Sequence, residues 1–166
     1  PRISIMPVNT WTFSVAKHAE PLLPDRLELQ RNGPVLRVEI GIPSLLAQFL
    51  TKRKLRVPQP VKGFALFDTG ASSSCVDTDV IDQLGVNPVG VARTITAAGP
   101  SQQSLFPARL YFPRLGFSVE FTSVMGANLK QFRIMKGNLV ALVGRDILSR
   151  CVLIYNGAHA SYTLGF

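Results

Sequence analysis

Apolar and polar residues alternate in many short runs, and glycine or proline breaks the runs at close intervals. The clearest run is Val35-Leu36-Arg37-Val38-Glu39-Ile40, where apolar and charged positions trade places with a period near two, as in a strand with one wet face; Gly41 helps to end it. Residues 11–15 (WTFSV) and 26–30 (RLELQ) read as strand pieces within an N-terminal stretch, 1–34, expected to form an edge or wrapping segment. The run PSLLAQFLTKRK (43–54) instead puts Leu45, Leu46, Phe49 and Leu50 on one helical face, with Pro43 near the first turn and cations near the last, which predicts a short amphipathic helix packed on a sheet. Residues 56–63 read as an extended linker. In 77–85 (DTDVIDQLG), Asp77 is a candidate N-cap and Gly85 a candidate stop, so another short helix is predicted. Two strand arms flank the small residues Ala98-Gly99-Pro100-Ser101, the pattern of a protruding hairpin. Further strands are predicted at 116–124 and 137–144, a brief helix at 145–150, and a closing hairpin over 152–166 that turns near Asn156-Gly157. The pattern predicts an all-β protein with short helices.

Composition narrows the function classes. With 166 residues, 46% of them hydrophobic and 17% charged, the chain suits one domain with a sizeable core and does not resemble a disordered segment. The formal charge of +8 favours anionic partners, but the cations are spread out and dense only in Lys52-Arg53-Lys54-Leu55-Arg56. No aromatic residue interleaves with that cluster as a base-stacking platform, so a solvated helix end is the plain reading and nucleic-acid contact a weakly supported one. Cys75 and Cys151 are too few for a disulfide scaffold and lack zinc-site spacing, and His18 and His159 form no metal motif. No cofactor or metal is therefore expected. No apolar run approaches the length of a membrane span, and nothing fixes a cellular location; the start at Pro1 leaves room for an upstream segment.

One acid stands apart. In FALFDTGAS (64–72) an apolar strand ends on Asp68 and turns at once on Gly70. A carboxylate at the end of a buried strand is either satisfied in a turn or working as an acid. Serine and cysteine nucleophile motifs are missing, as are phosphate-binding glycine loops. Far downstream, Ala141-Leu142-Val143-Gly144-Arg145-Asp146-Ile147-Leu148 supplies an apolar strand followed by G-R-D and a leucine-bearing helix.

With the small-residue hairpin between them, these two motifs make residues 35–166 resemble the single-lobed, retropepsin-like aspartic proteases. That resemblance implies a retropepsin-like acid protease fold with one lobe per chain, preceded by the extension 1–34. Catalysis would rest on Asp68, with Gly70 allowing the turn and the Thr69 hydroxyl reaching across a dimer axis. Ala71 and Ser72 would line the substrate groove, the backbone near Ala98 and Gly99 would close over it as a flap, and Leu142, Val143 and Cys75 would be apolar walls or ordinary core. The chemistry needs two carboxylates sharing one proton, one polarising the scissile carbonyl while the other takes a proton from the attacking water. This chain has a single D-T-G, and Asp25, Asp77, Asp79, Asp82 and Asp146 lie in no matching context. The second acid is therefore expected from another copy of Asp68 in a homodimer, acting on extended peptides with hydrophobic side chains.

Some features depart from the family pattern. Ser72 stands where viral relatives often carry an acid that pairs with the helix arginine, here Arg145, so the dimer must be braced in another way. The C-terminal hairpin is longer than the viral terminal strand, and the insertion around 45–56 has no assigned role. Ala71 lacks a hydroxyl that would stabilise an ionised dyad, so a mildly acidic working range is expected rather than an extreme one. Three other readings stay open: an Asx-type turn in an ordinary β domain, a catalytically silent dimerisation or peptide-binding module, and a nucleic-acid contact through 52–56.

Overall fold

The computed structural model describes residues 8–12, 25–96, 99–134 and 137–165, and its strands follow the alternation of the sequence. The first half contains β1 (Val8–Thr12), α1 (Asp25–Asn32), β2 (Val35–Gly41), α2 (Ser44–Lys52), β3 (Val61–Phe67), β4 (Cys75–Asp77) and α3 (Thr78–Leu84). The second contains β5 (Gly90–Thr96), β6 (Gly99–Phe112), β7 (Phe117–Ala127), β8 (Arg133–Ile134), β9 (Gly137–Val143), α4 (Arg145–Leu148), β10 (Val152–Asn156) and β11 (Ser161–Gly165). The expected all-β class with short helices holds.

Strands β2, β3, β9, β4, β7 and β6 are hydrogen-bonded in that order. β2 also pairs with β6 through Glu39↔Tyr111, Ile40↔Leu110 and Gly41↔Arg109, so the sheet closes on itself. Closure removes open edges from this set of strands and wraps them around one core. On β6, Ala108, Leu110 and Phe112 point inward while Arg109 and Tyr111 alternate with them on the wetter side. β9 lies between β3 and β4 and buries Leu139, Val140, Ala141 and Val143, so it reads as a continuous apolar run because both of its faces are covered. The Phe67 and Phe112 rings meet at 5.7 Å and join β3 to the opposite wall.

β5 hangs on the outer side of β6, and the two form the expected hairpin as far as the pair Thr96↔Gly99. Residues 97–98, Ala98 among them, lie outside the described residues. A smaller sheet, ordered β1-β11-β10, docks on the barrel. Its anchor is Tyr162, which stacks on Trp11 at 5.3 Å and donates its hydroxyl proton to the Val35 carbonyl. Of the strand expected at 11–15, residues 11–12 belong to β1 and 13–15 lie outside the described residues.

Two expectations fail. The linker expected over 56–63 ends early, since residues 61–63 already belong to β3 and pair with β2 through Ile40↔Val61, Glu39↔Lys62 and Val38↔Gly63. Residues 26–30 are not a strand but part of helix α1. The alternation of Leu27 and Leu29 suggested period two, yet Leu29 is fully buried whereas Leu27 is exposed, so only one of them faces the core. The helix has its own stop: Gly33 takes φ +69° and donates its N–H to the Leu29 carbonyl at 2.8 Å, a left-handed cap that a Cβ would strain. The other helices form where expected. The Asp77 side chain accepts from Asp79 N at the start of α3, and Gly85 ends that helix at φ +64°.

The helical assignment of α1 has a direct check. Leu29→Ala should cost about 2–5 kcal/mol in urea unfolding, while Leu27→Ala should stay within about 1 kcal/mol. Equal losses would mean that both side chains face the core, as a different register requires.

Candidate active site

β3 delivers Asp68 to the site. Ala65 and Phe67 are buried and hold the strand, which pairs in parallel with β9 through Ala65↔Ala141, Leu66↔Leu142 and Phe67↔Val143. The pairing continues one step further, since Asp68 N donates to the Val143 carbonyl at 2.9 Å. There the chain turns. Gly70 N donates to Asp68 Oδ1 at 2.8 Å and Ala71 N donates to the Asp68 carbonyl at 3.2 Å, so carboxylate and backbone define the turn together. Asp68 is part-exposed, and among the described residues its Oδ2 has no hydrogen-bond partner. One oxygen fixes the side chain in the turn.

The second motif closes on the first. Arg145 N donates to the Ala71 carbonyl at 2.9 Å, and its guanidinium donates to the carbonyls of Thr69 at 2.8 Å and Gly70 at 3.3 Å. Arg145 thus spans the turn from the chain's own far side without an acid at position 72. Behind it, Ser74 is buried and acts as a two-sided link. Its Oγ donates to Asp146 Oδ1 at 2.7 Å and accepts from Gly144 N at 3.0 Å, while Ser74 N donates to Asp146 Oδ2 at 2.9 Å. The close approach needs a glycine, because a Cβ on Gly144 would stand 2.6 Å from the Ser73 carbonyl carbon. Sequence reasoning missed Ser74 and Asp146. Only the G-R-D run hinted at Asp146, and nothing local pointed to a partner 72 residues away.

The other candidates fall in different places. Thr69, Gly70 and Ser72 are exposed, and Ala71, Gly99 and Leu142 are part-buried. Val143 is fully enclosed in the core of its own chain, and its role at the turn runs through its carbonyl. Cys75 is buried, and burial first, with the nearby carboxylates of Asp68, Asp146 and Asp77 adding, pushes its thiol up to about 11. A thiol held protonated in this way is a poor nucleophile. A cavity of about 510 Å³ lies alongside, bounded by Ser72, Ser74 and Asp146 below and by Arg93, Thr94 and Phe121 of the hairpin and β7. Asp68 does not line this cavity; it follows the adjoining turn. Among the described residues, no cluster of three or more metal-binding side chains occurs.

A strand ending in D-T-G-A, a hairpin, and an apolar strand ending in G-R-D now meet in one closed barrel. The fold is retropepsin-like.

No protein-family model matches this chain, and no curated protein matches it significantly. Solved structures do. A retropepsin-like aspartic protease from Rickettsia conorii is similar at 10% identity and a TM-score of 0.45, over 98% of this chain and 94% of that one. The EIAV protease in complex with the inhibitor HBY-793 is similar at 19% identity and a TM-score of 0.43, over 70% and 86%. The simian foamy virus (mac) protease is similar at 17% identity and a TM-score of 0.41, over 70% and 92%.

The buried link has a measurable weight. Ser74→Ala leaves Gly144 N without its acceptor and removes one of the two donors to Asp146 Oδ1, the other being Ile147 N, which should cost about 1–3 kcal/mol in chemical unfolding. A change below about 0.5 kcal/mol would show that the two loops do not depend on this hydroxyl.

Proposed function

We propose that the chain is an aspartic endopeptidase that cleaves extended peptides with hydrophobic side chains and works as a homodimer. In this reading 35–166 is the protease domain and 1–34 its extension. The observation that carries the proposal is the Asp68 turn: a carboxylate fixed through Oδ1 by Gly70 N, with Oδ2 unbonded among the described residues, on a loop clamped by Arg145. An Asx turn in an ordinary β domain would need no such clamp from a second distant motif.

One chain supplies half of the chemistry. Asp146 is committed to Ser74, Asp77 to the amides of Asp79 and Leu129, and Asp79 to Lys130. Asp25 and Asp82 lie in no D-T-G context, so in this reading the second acid is Asp68 of a second copy, placed by a two-fold axis that runs past the exposed Thr69. Two carboxylates at contact distance cannot both ionise, so they share one proton. The protonated acid polarises the scissile carbonyl, the ionised one takes a proton from water, and the water oxygen attacks the carbonyl carbon without a covalent intermediate. The hairpin of β5 and β6 would cover the peptide, with Ala98 and Gly99 at its tip supplying backbone hydrogen bonds. Ala71 and Ser72 would border the peptide, with Leu142 the more accessible of the two apolar residues expected as walls.

Asp68→Asn should reduce cleavage of a peptide library by at least about a hundredfold while leaving the melting temperature and the dimeric mass intact. Unchanged cleavage in that variant, or full activity in a wild-type monomer, overturns the proposal; wild-type dimers that bind peptides and never cut them favour a silent module.

The same reading fixes a pH trend. With alanine at 71 the ionised dyad lacks a hydroxyl donor, so activity should peak in the mildly acidic range, and Ala71→Ser should move the profile to lower pH by stabilising the ionised form. A wild-type optimum at about pH 2 would contradict this account.

A further inference from the structure

The outer face of α2 is exposed in a way that the barrel does not require. Leu46, Ala47 and Leu50 pack against the core, and Ser44 bonds to Glu120 at the N-terminal end, so the helix is already seated. On its other side Leu45 is 78% exposed and Phe49 52%, and Leu55, just past the helix, is 55% exposed. At roughly 100° per residue, positions 45, 49, 52 and 53 share an arc of about 100°, so the two apolar side chains stand beside Lys52 and Arg53. Lys54 and Arg56 follow, all four cations are exposed, and residues 44–56 contain no acid. The turn is fixed, since Arg53 N donates to the Phe49 carbonyl and Leu55 N to the Leu50 carbonyl. The Arg53 guanidinium lies 5.5 Å from the centre of the Phe49 ring.

We propose that residues 45–56 form a docking surface for an anionic lipid bilayer. The charge selects an anionic partner, because four cations stand together and none of them forms an ion pair among the described residues, in a chain of net charge +8. The apolar side chains select the bilayer. Leu45, Phe49 and Leu55 have no hydrogen-bonding capacity to offer a phosphate backbone, and Arg53 already occupies a position beside the one aromatic ring that could stack on a base. In a bilayer the same residues fit together: the hydrocarbon side chains enter the headgroup and acyl boundary while the lysines and arginines meet lipid phosphates and carboxylates. The inference does not depend on the proteolytic reading, because it uses no residue of the Asp68 turn.

The test is sedimentation of the whole chain with vesicles of phosphatidylcholine alone or with about a third phosphatidylserine, at low and at raised salt. The wild type should pellet with the serine-lipid vesicles and not with phosphatidylcholine. Leu45→Ser with Phe49→Ser should weaken binding by at least about tenfold, and Lys52→Gln, Arg53→Gln and Lys54→Gln together by on the order of a hundredfold. Melting temperatures should stay unchanged, since every substituted side chain is exposed. Absence of wild-type binding to the anionic vesicles, or binding that survives both sets of substitutions, overturns the proposal. So does tight binding of a single-stranded RNA or DNA oligonucleotide that is lost with the cations and kept in the Leu45→Ser, Phe49→Ser variant, which would make this a nucleic-acid surface.

Discussion

Everything at the site depends on the parallel pairing of β3 with β9 and its last hydrogen bond, from Asp68 N to the Val143 carbonyl. Both strands end at the same level, so both turns emerge at one end of the barrel. The Asp68 turn is held from below by backbone and from the side by Arg145, and the buried Ser74 ties the continuation of one loop to the start of α4. Parallel strands cannot be joined by a tight turn, so the hairpin, β4, α3 and β7 all lie within the connection between the two motifs. The site is therefore among the least local features of the fold, and its geometry exists only when the barrel is closed.

The chemistry of the turn follows from what lies on each side of it. Beneath it are Phe67, Val143 and Cys75, all buried, and burial is the first cause of the raised Cys75 thiol. On the open side, Thr69, Gly70 and Ser72 are exposed. The turn therefore has a buried apolar floor and an open top, and the proposed pairing with a second copy of Asp68 rests on that open side. A carboxylate meant only to hold a turn would gain nothing from an unbonded oxygen.

The sequence made the strands legible because one-sided burial imposes a period of two, and the clearest case, 35–41, became a wall of the barrel. The Asp77 cap and the Gly85 stop were legible because caps are local chemistry. At 26–30 the same reasoning misled: two leucines two apart mimic a strand whatever the backbone does, and the deciding signal was the Asn32-Gly33 stop beyond them. At the site, both motifs could be read and their meeting could be expected from resemblance. The link between them could not, because Ser74 lies in a run of three serines and is set apart only by its burial and its bonds to Asp146 and Gly144. Val143 carries the complementary lesson. An apolar side chain beside a motif reads equally well as groove wall or as core, and here, within one chain, it is core.

Helix α2 is seated on the barrel without using its outward face. Its stability comes from three side chains that face the barrel and from the bond between Ser44 and Glu120. Nothing in that arrangement constrains the outward positions 45 and 49, and at the outward position 48 Gln48 would be matched by any polar residue. A fold under no other demand would carry such residues at positions 45 and 49 as well, since large exposed hydrophobes invite aggregation. Apolar side chains kept there beside an uncompensated set of cations are therefore best understood as a surface with its own partner. That surface stands on a helix held separately from the turn that carries Asp68.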